Sequence, residues 1–332
     1  MRKNFKLTLV ALSLLALTAC SAEHEINIPA PQGDEISFGT VNTRAGLSDL
    51  ERDGFGVWAY VSNSTTQNYP LMDNQFVKHE DGSWVYSPVK YWLDNTVFTF
   101  IGVYPYAEES PYFSSDAANS AVELTVSETP SDVDFLIATN EIDTNNEYDP
   151  VVSMQFRHVL TSVSLNIWRD GAKHQNDQMR IKKVTLGNIR KGGTYSTATS
   201  LWTYNESKLT AEMENTNLTD SDNIGAATMV NGSLETGGTP ASPFGTMMLL
   251  PQTIDESNII ALRIEYEIKR NNAADWESAE LEASIPNATW LAGNRYTYNV
   301  VLSSVTDITF YYIQTKVDPW GTPQVGGTVI IK

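Results

Sequence analysis

Ile260-Ala261-Leu262-Arg263-Ile264-Glu265-Tyr266-Glu267-Ile268 sets a large apolar side chain at every even position and Ala, Arg or Glu at every odd one. A period of two belongs to a strand with one buried and one wetted face. Residues 162–168 repeat the pattern, with Val163, Leu165 and Ile167 on one side. Residues 295–302 do so again, placing Tyr296, Tyr298, Val300 and Leu302 against Arg295, Thr297 and Asn299. Two other runs, Phe55-Gly56-Val57-Trp58-Ala59-Tyr60-Val61 and Val97-Phe98-Thr99-Phe100-Ile101-Gly102-Val103-Tyr104, are apolar on both faces. Asp81-Gly82, Lys191-Gly192-Gly193, Thr236-Gly237-Gly238 and Ala292-Gly293-Asn294 are turn signals between strands, and no long amphipathic helix pattern interrupts them. The expected fold class is all-β, built from antiparallel β-sandwiches.

A chain of 332 residues is long enough for about two such domains. The polar stretch Asp143-Thr144-Asn145-Asn146-Glu147-Tyr148-Asp149-Pro150 lies between two strand-like runs, so the division is expected near residue 150, giving domains at 45–150 and 151–332. A faint internal repeat agrees with that division. Residues 91–105 and 290–302 each set a tryptophan before a turn and an aromatic strand.

The chain opens with Arg2, Lys3 and Lys6 ahead of an apolar run that ends in small residues. That is a secretory signal over residues 1–19, too short to span a bilayer stably. Cys20, at the end of Leu17-Thr18-Ala19-Cys20, is the only cysteine, so it has no internal disulfide partner. The tetrapeptide resembles a bacterial lipobox, in which the cysteine becomes the lipid-bearing N-terminus. Further on, Ile36-Ser37-Phe38 begins a strand, and Thr43-Arg44-Ala45-Gly46 follows as a small polar stretch around one arginine.

With 22 basic and 40 acidic side chains the net charge is −18, which argues against nucleic acid and against anionic membrane surfaces as main partners. His24, His79, His158 and His174 are scattered without metal-ligand spacing, and no nucleophile elbow or phosphate-cradling loop occurs. Asp143, Asn145, Glu147 and Asp149 have the every-second-residue spacing of a calcium loop, but its glycine and distal glutamate are missing. No cofactor, metal or catalytic set is expected. The eight Trp and fifteen Tyr offer stacking surface for a sugar, yet most fall within strand patterns, where packing accounts for them.

Taken together, these pieces resemble the fimbrillin family, the lipoprotein precursors of type V pili. The resemblance rests on the lipobox at Cys20, Ile36-Ser37-Phe38 with Thr43-Arg44-Ala45, and Phe55-Gly56-Val57-Trp58-Ala59-Tyr60. It continues through Tyr91-Trp92, Phe100-Ile101-Gly102-Val103-Tyr104-Pro105, Asp134-Phe135-Leu136-Ile137-Ala138 and Phe156-Arg157-His158-Val159-Leu160-Thr161. Leu249-Leu250-Pro251-Gln252, Trp290-Leu291-Ala292-Gly293-Asn294-Arg295 and Val317-Asp318-Pro319-Trp320 complete it.

The resemblance implies two tandem transthyretin-like sandwiches and a non-enzymatic structural subunit of a surface fimbria. It implies outer-membrane attachment through Cys20 and removal of a propeptide (residues 20–44) by an arginine-specific protease. Cleavage would fall after Arg44, leaving Ala45 as the mature N-terminus, and would take with it the strand carrying Ile36 and Phe38. Another copy, or a related pilin, would then fill the vacated groove. The tail at 324–332, with Val325, Val329 and Ile331 on one face, suits a donor strand. Burying those three at ~1.5–3 kcal/mol each gives on the order of 5–9 kcal/mol, an upper estimate. The same tail also reads as an edge strand of the second domain. Tip or anchor roles, and a surface carbohydrate-binding lipoprotein that never polymerises, stay open on sequence alone, with a host or bacterial surface glycan or protein as a further partner.

Overall fold

Each strand of period two needs a partner on its edges and cover on at least one face. The computed structural model describes residues 34–39, 47–63, 66–230, 233–304, 307–315 and 329–330, all within one compact unit, Gln32–Lys332. The chain runs through β1 (Ser37–Gly39), the short helix α1 (Leu47–Asp53), β2 (Phe55–Asn63), β3 (Thr66–Glu80) and β4 (Ser83–Val85). Next come β5 (Val97–Tyr104), β6 (Phe113–Asp116), β7 (Ala121–Val126), β8 (Leu136–Asp143), β9 (Val151–Ser153) and β10 (Arg157–His158). The second half begins with β11 (Thr161–Asp170), β12 (Gln178–Arg190), β13 (Gly193–Ser196), β14 (Leu201–Tyr204) and β15 (Lys208–Glu214). It continues with β16 (Ala226–Val230), β17 (Ser233–Gly237), β18 (Thr246–Leu249), β19 (Gln252–Ile254) and β20 (Ala261–Lys269). The last are β21 (Glu277–Ser284), β22 (Ala288–Trp290), β23 (Arg295–Ser304), β24 (Asp307–Thr315) and β25 (Val329–Ile330). The fold is all-β.

The doubly apolar strands form the middle of three layers. The strand path β10-β8-β5-β2-β3-β4-β1-β9 is continuous because β3 pairs with β2 along most of its length and with β4 at Lys78, His79 and Glu80. The path curls, and its β4-β1-β9 end packs onto one face of β2, β5 and β8. There Phe55, Val57, Phe98 and Phe100 share a core with Ile36, Phe38, Val152 and Met154. The opposite face carries Trp58, Tyr60, Ile101, Val103 and Ile137, which pack against β6, β7 and β13 through Phe113, Val122, Leu124 and Tyr195. Residues of β2 and β5 therefore alternate between two cores rather than between core and water.

The second half is a two-sheet sandwich. The order β17-β16-β11-β23-β24-β25, with β18 also on β11, faces the order β15-β12-β20-β21. Ile260, Leu262, Ile264, Tyr266 and Ile268 meet Val163, Leu165, Ile167, Tyr296, Tyr298 and Val300 in one buried core. The outward residues of β20 pair across the wet face, Glu267 with Arg180 at 2.6 Å and Arg263 with Glu280 at 2.6 Å. Most pairings are antiparallel, but β1 with β9, β11 with β16 and β11 with β23 run parallel. Alternation specifies which face is buried and is silent about the direction of the neighbour.

Two features bear on how the halves are joined. The internal repeat holds at atomic detail: Trp92 is followed by left-handed Asn95, with rings Phe98 and Phe100 at 4.8 and 5.8 Å. Trp290 is followed at the same spacing by left-handed Gly293, with Tyr296 and Tyr298 at 6.5 and 6.3 Å. In addition, the β13–β14 hairpin belongs to the second half by sequence but pairs with β7 of the first, from Gly193 with Val126 to Ser196 with Glu123. The strands β9 and β10 likewise lie beyond residue 150 yet pair with β1 and β8.

Candidate functional site

Among the candidate residues, the structure brings Ile36 and Phe38 together with an aromatic core, and the site is the slot that β1 occupies. Alternation sends these two side chains inward, and they are 2% and 5% exposed. The Phe38 ring lies 5.4 Å from Tyr86, 6.0 Å from Phe100 and 6.3 Å from Phe55, each near edge-to-face. Phe55 in turn contacts Trp84 and Phe156, both at 5.0 Å. The result is a box of rings closed by Phe38, the arrangement aromatic quadrupoles favour.

The backbone of β1 is paired along both edges. Phe38 pairs antiparallel with Trp84 of β4, and Glu35 makes an isolated antiparallel bridge with Tyr91. On the other edge Ser37, Phe38 and Gly39 run parallel to Val151, Val152 and Ser153 of β9. Ile36 N–H donates to the Lys90 carbonyl at 2.9 Å, and Trp92 and Met154 N–H groups donate to the carbonyls of Asp34 and Gly39, both at 3.0 Å. Removing β1 would leave these edges unpaired beside a large apolar surface, which is a template for another strand. Beside the slot, the large apolar residues Val89, Tyr91 and Val151 stay exposed at 36–40%.

One side chain restrains β1 directly. The Tyr86 hydroxyl donates to the Ile36 carbonyl at 2.8 Å. Burial raises its pKa above the ordinary phenol value, with the backbone of Lys90 opposing the shift. A raised folded-state pKa means that the stabilisation is complete below the unfolded value near 10 and is lost as pH climbs through the folded one. Tyr86→Phe deletes the bond at a cost of about 1 kcal/mol. Amide hydrogen exchange along β1 should accelerate about fivefold as a result, and an unchanged rate would show that the hydroxyl does not restrain the strand.

The other candidate positions are placed as follows. Cys20, Arg44, Ala45, Val325 and Ile331 lie outside the described residues. Val329 falls in β25, which pairs antiparallel with β24 through Tyr311 with Ile330 and Tyr312 with Val329. Of the tail, only Val329 and Ile330 are described, and they pair along the edge of β24. In the calcium-like loop, Asp143 accepts from Asn145 N–H at 3.0 Å and from the Asn146 amide at 2.9 Å, while Asp149 accepts from Val151 N–H at 2.9 Å. Those carboxylates are engaged in turning the chain. His158 is buried against Asp134 at 2.7 Å, a structural pairing.

Sequence reasoning missed the residues that hold β1. Tyr86 and Trp84 carry no signal for this role beyond aromatic character. The parallel partner β9 lies more than a hundred residues downstream, and nothing local announces it. Tyr91-Trp92 was visible as part of the repeat, though not as the edge that receives Glu35.

The fimbrillin-like family model matches residues 43–320. Among solved structures, a fimbrial protein from Bacteroides vulgatus superposes with a TM-score of 0.63 at 17% identity, covering 85% of this chain and 99% of the other. A candidate cell adhesion protein from Bacteroides uniformis gives a TM-score of 0.50 at 15% identity, covering 86% and 99%. No curated protein matches.

Proposed function

Because the chain belongs to the fimbrillin-like family, we propose that it is a structural, non-enzymatic subunit of a surface fimbria that polymerises by protease-triggered donor-strand exchange. It is exported as a lipoprotein anchored through Cys20 to the outer membrane. An arginine-specific protease then cuts between Arg44 and Ala45. Cleavage frees β1 from the rest of the chain, and a neighbouring subunit, another copy or a related pilin, fills the slot with a C-terminal strand. The tail at 324–332, carrying Val325, Val329 and Ile331, is the strand this chain donates in turn. The two halves act as tandem sandwich domains.

The observation that carries this reading is the construction of β1. It is a core strand with two buried anchors and partners on both edges, yet it sits only five residues ahead of Arg44 and before α1. On the far side of the cut, Leu50 of α1 is fully buried in the same core, so the mature chain keeps its own hold there. The pairing of β25 with β24 means that a donated tail must first leave its own edge.

Incubating the purified precursor with an arginine-specific protease tests the reading. The expected result is a ladder of oligomers whose subunits begin at Ala45, and a matched sample lacking residues 324–332 that is cut but does not elongate. A cut chain that stays monomeric, or elongation without the tail, would overturn it.

A further inference from the structure

The slot and the tail do not match in shape. The floor of the slot is made to take a branched aliphatic side chain at position 36 and a phenyl ring at position 38, two residues along the same face. The tail reads Gln324-Val325-Gly326-Gly327-Thr328-Val329-Ile330-Ile331-Lys332. One face offers Val325, Gly327, Val329 and Ile331, and the other offers Gln324, Gly326, Thr328, Ile330 and Lys332. In any register and either direction, the largest apolar side chain it can present to the ring box is isoleucine. The nearest ring upstream, Trp320, is separated from this run by Gly321 and by Pro323, which cannot donate to a strand ladder.

We propose that the slot of this subunit prefers a donor strand from a different subunit, one that carries Phe or Tyr two residues along the same face from a branched aliphatic residue, over this chain's own tail, which enters it more weakly and still supports elongation at high subunit concentration. The inference rests on the donor-strand reading above and names the partner for the same groove. Its physical basis is the cavity term of core packing. An aliphatic side chain among Phe55, Tyr86 and Phe100 leaves those three rings without the edge contacts that Phe38 supplies, and rings held by three separate segments of chain collapse only partly into such a gap. Hydrogen bonding to the slot edges is common to every extended donor and gives affinity without selection, while the side-chain pockets decide between donors.

Peptide competition separates the possibilities without altering the protein. Precursor cut after Arg44 is loaded with a fluorescent peptide spanning residues 34–43. Unlabelled competitors are the same peptide, its Phe38→Tyr and Phe38→Val forms, the peptide 324–332, and that tail peptide with Ile331→Phe. The parent and Phe38→Tyr strands should compete equally within a small factor. Phe38→Val and the tail should be weaker by about tenfold or more, from the cavity each leaves. Ile331→Phe should recover most of that loss. Equal competition by the Phe38→Val strand or by the tail would overturn the specificity while leaving the groove intact. Failure of the parent peptide to rebind at all would overturn the groove itself, and the specificity with it.

Discussion

Arg44→Ala is expected to abolish fibre formation and leave a full-length monomer that retains its propeptide. The argument rests on how weakly β1 would hold once it is a separate fragment. Two buried side chains, Ile36 and Phe38, contribute ~1.5–3 kcal/mol each, or about 3–6 kcal/mol together as an upper estimate. As a bimolecular affinity that corresponds to roughly millimolar to tens of micromolar, so a freed strand leaves on dilution. While the chain is intact, the same strand is tethered at an effective concentration of about millimolar or more and rebinds at once. The slot is then closed to competitors. At the tight end of that range one peptide bond thus separates a mostly filled slot from an open one. Arg44→Lys gives the sharper version, because it keeps the charge but not the planar fork that arginine-specific pockets read. Gel ladders and N-terminal sequencing after protease treatment provide the measurement. Continued elongation of either variant, with the propeptide still attached, would rule out cleavage at this site as the trigger.

Phe38→Ala should destabilise the precursor by about 3–5 kcal/mol, the range for truncating a fully packed ring. That is a large part of the 5–15 kcal/mol that typically separates folded from unfolded states. The ring touches Tyr86, Phe100 and Phe55, which come from three separate stretches of chain, so the cavity has no single neighbour able to fill it. The substitution carries its own control. In the proposed processing residue 38 departs with the propeptide, so fibres assembled from wild-type and variant precursors should melt at the same temperature. Thermal unfolding of precursor and of assembled material measures both. An equal loss in the two states would mean that β1 stays in place after cleavage.

Strand positions and buried faces were largely legible in the sequence, because a period of two writes the burial pattern directly into residue order. Residues 260–268 and 295–302 show this, with their even-numbered large residues fully buried. The runs at 55–61 and 97–104 were legible as apolar on both faces, and the structure covers both faces. One layer is supplied by β1, β4 and β9, and the other in part by the β13–β14 hairpin that arrives from beyond residue 150. Such long-range choices leave no local trace. The same holds for the parallel pairing of β11 with β23, since alternation is identical for either direction of the neighbour. Of the site, Ile36 and Phe38 were readable as inward-facing, while Tyr86 and the β9 edge needed three-dimensional contact to be seen.

The hairpin at 193–204 bears on what a filament of such subunits does under tension. Four consecutive residue pairs tie it to β7, and the Arg157 guanidinium donates to the Tyr195 hydroxyl at 3.0 Å from the neighbouring segment. Two domains joined by a bare linker would swing, and each subunit would add a hinge to the filament. A hairpin sewn from one half into the sheet of the other removes that hinge, because bending there requires shearing several ladder hydrogen bonds together instead of opening them one by one. In a filament joined by the proposed donor strand, flexibility would then be confined to the joints between subunits, and the persistence length would become a property of the inserted strand.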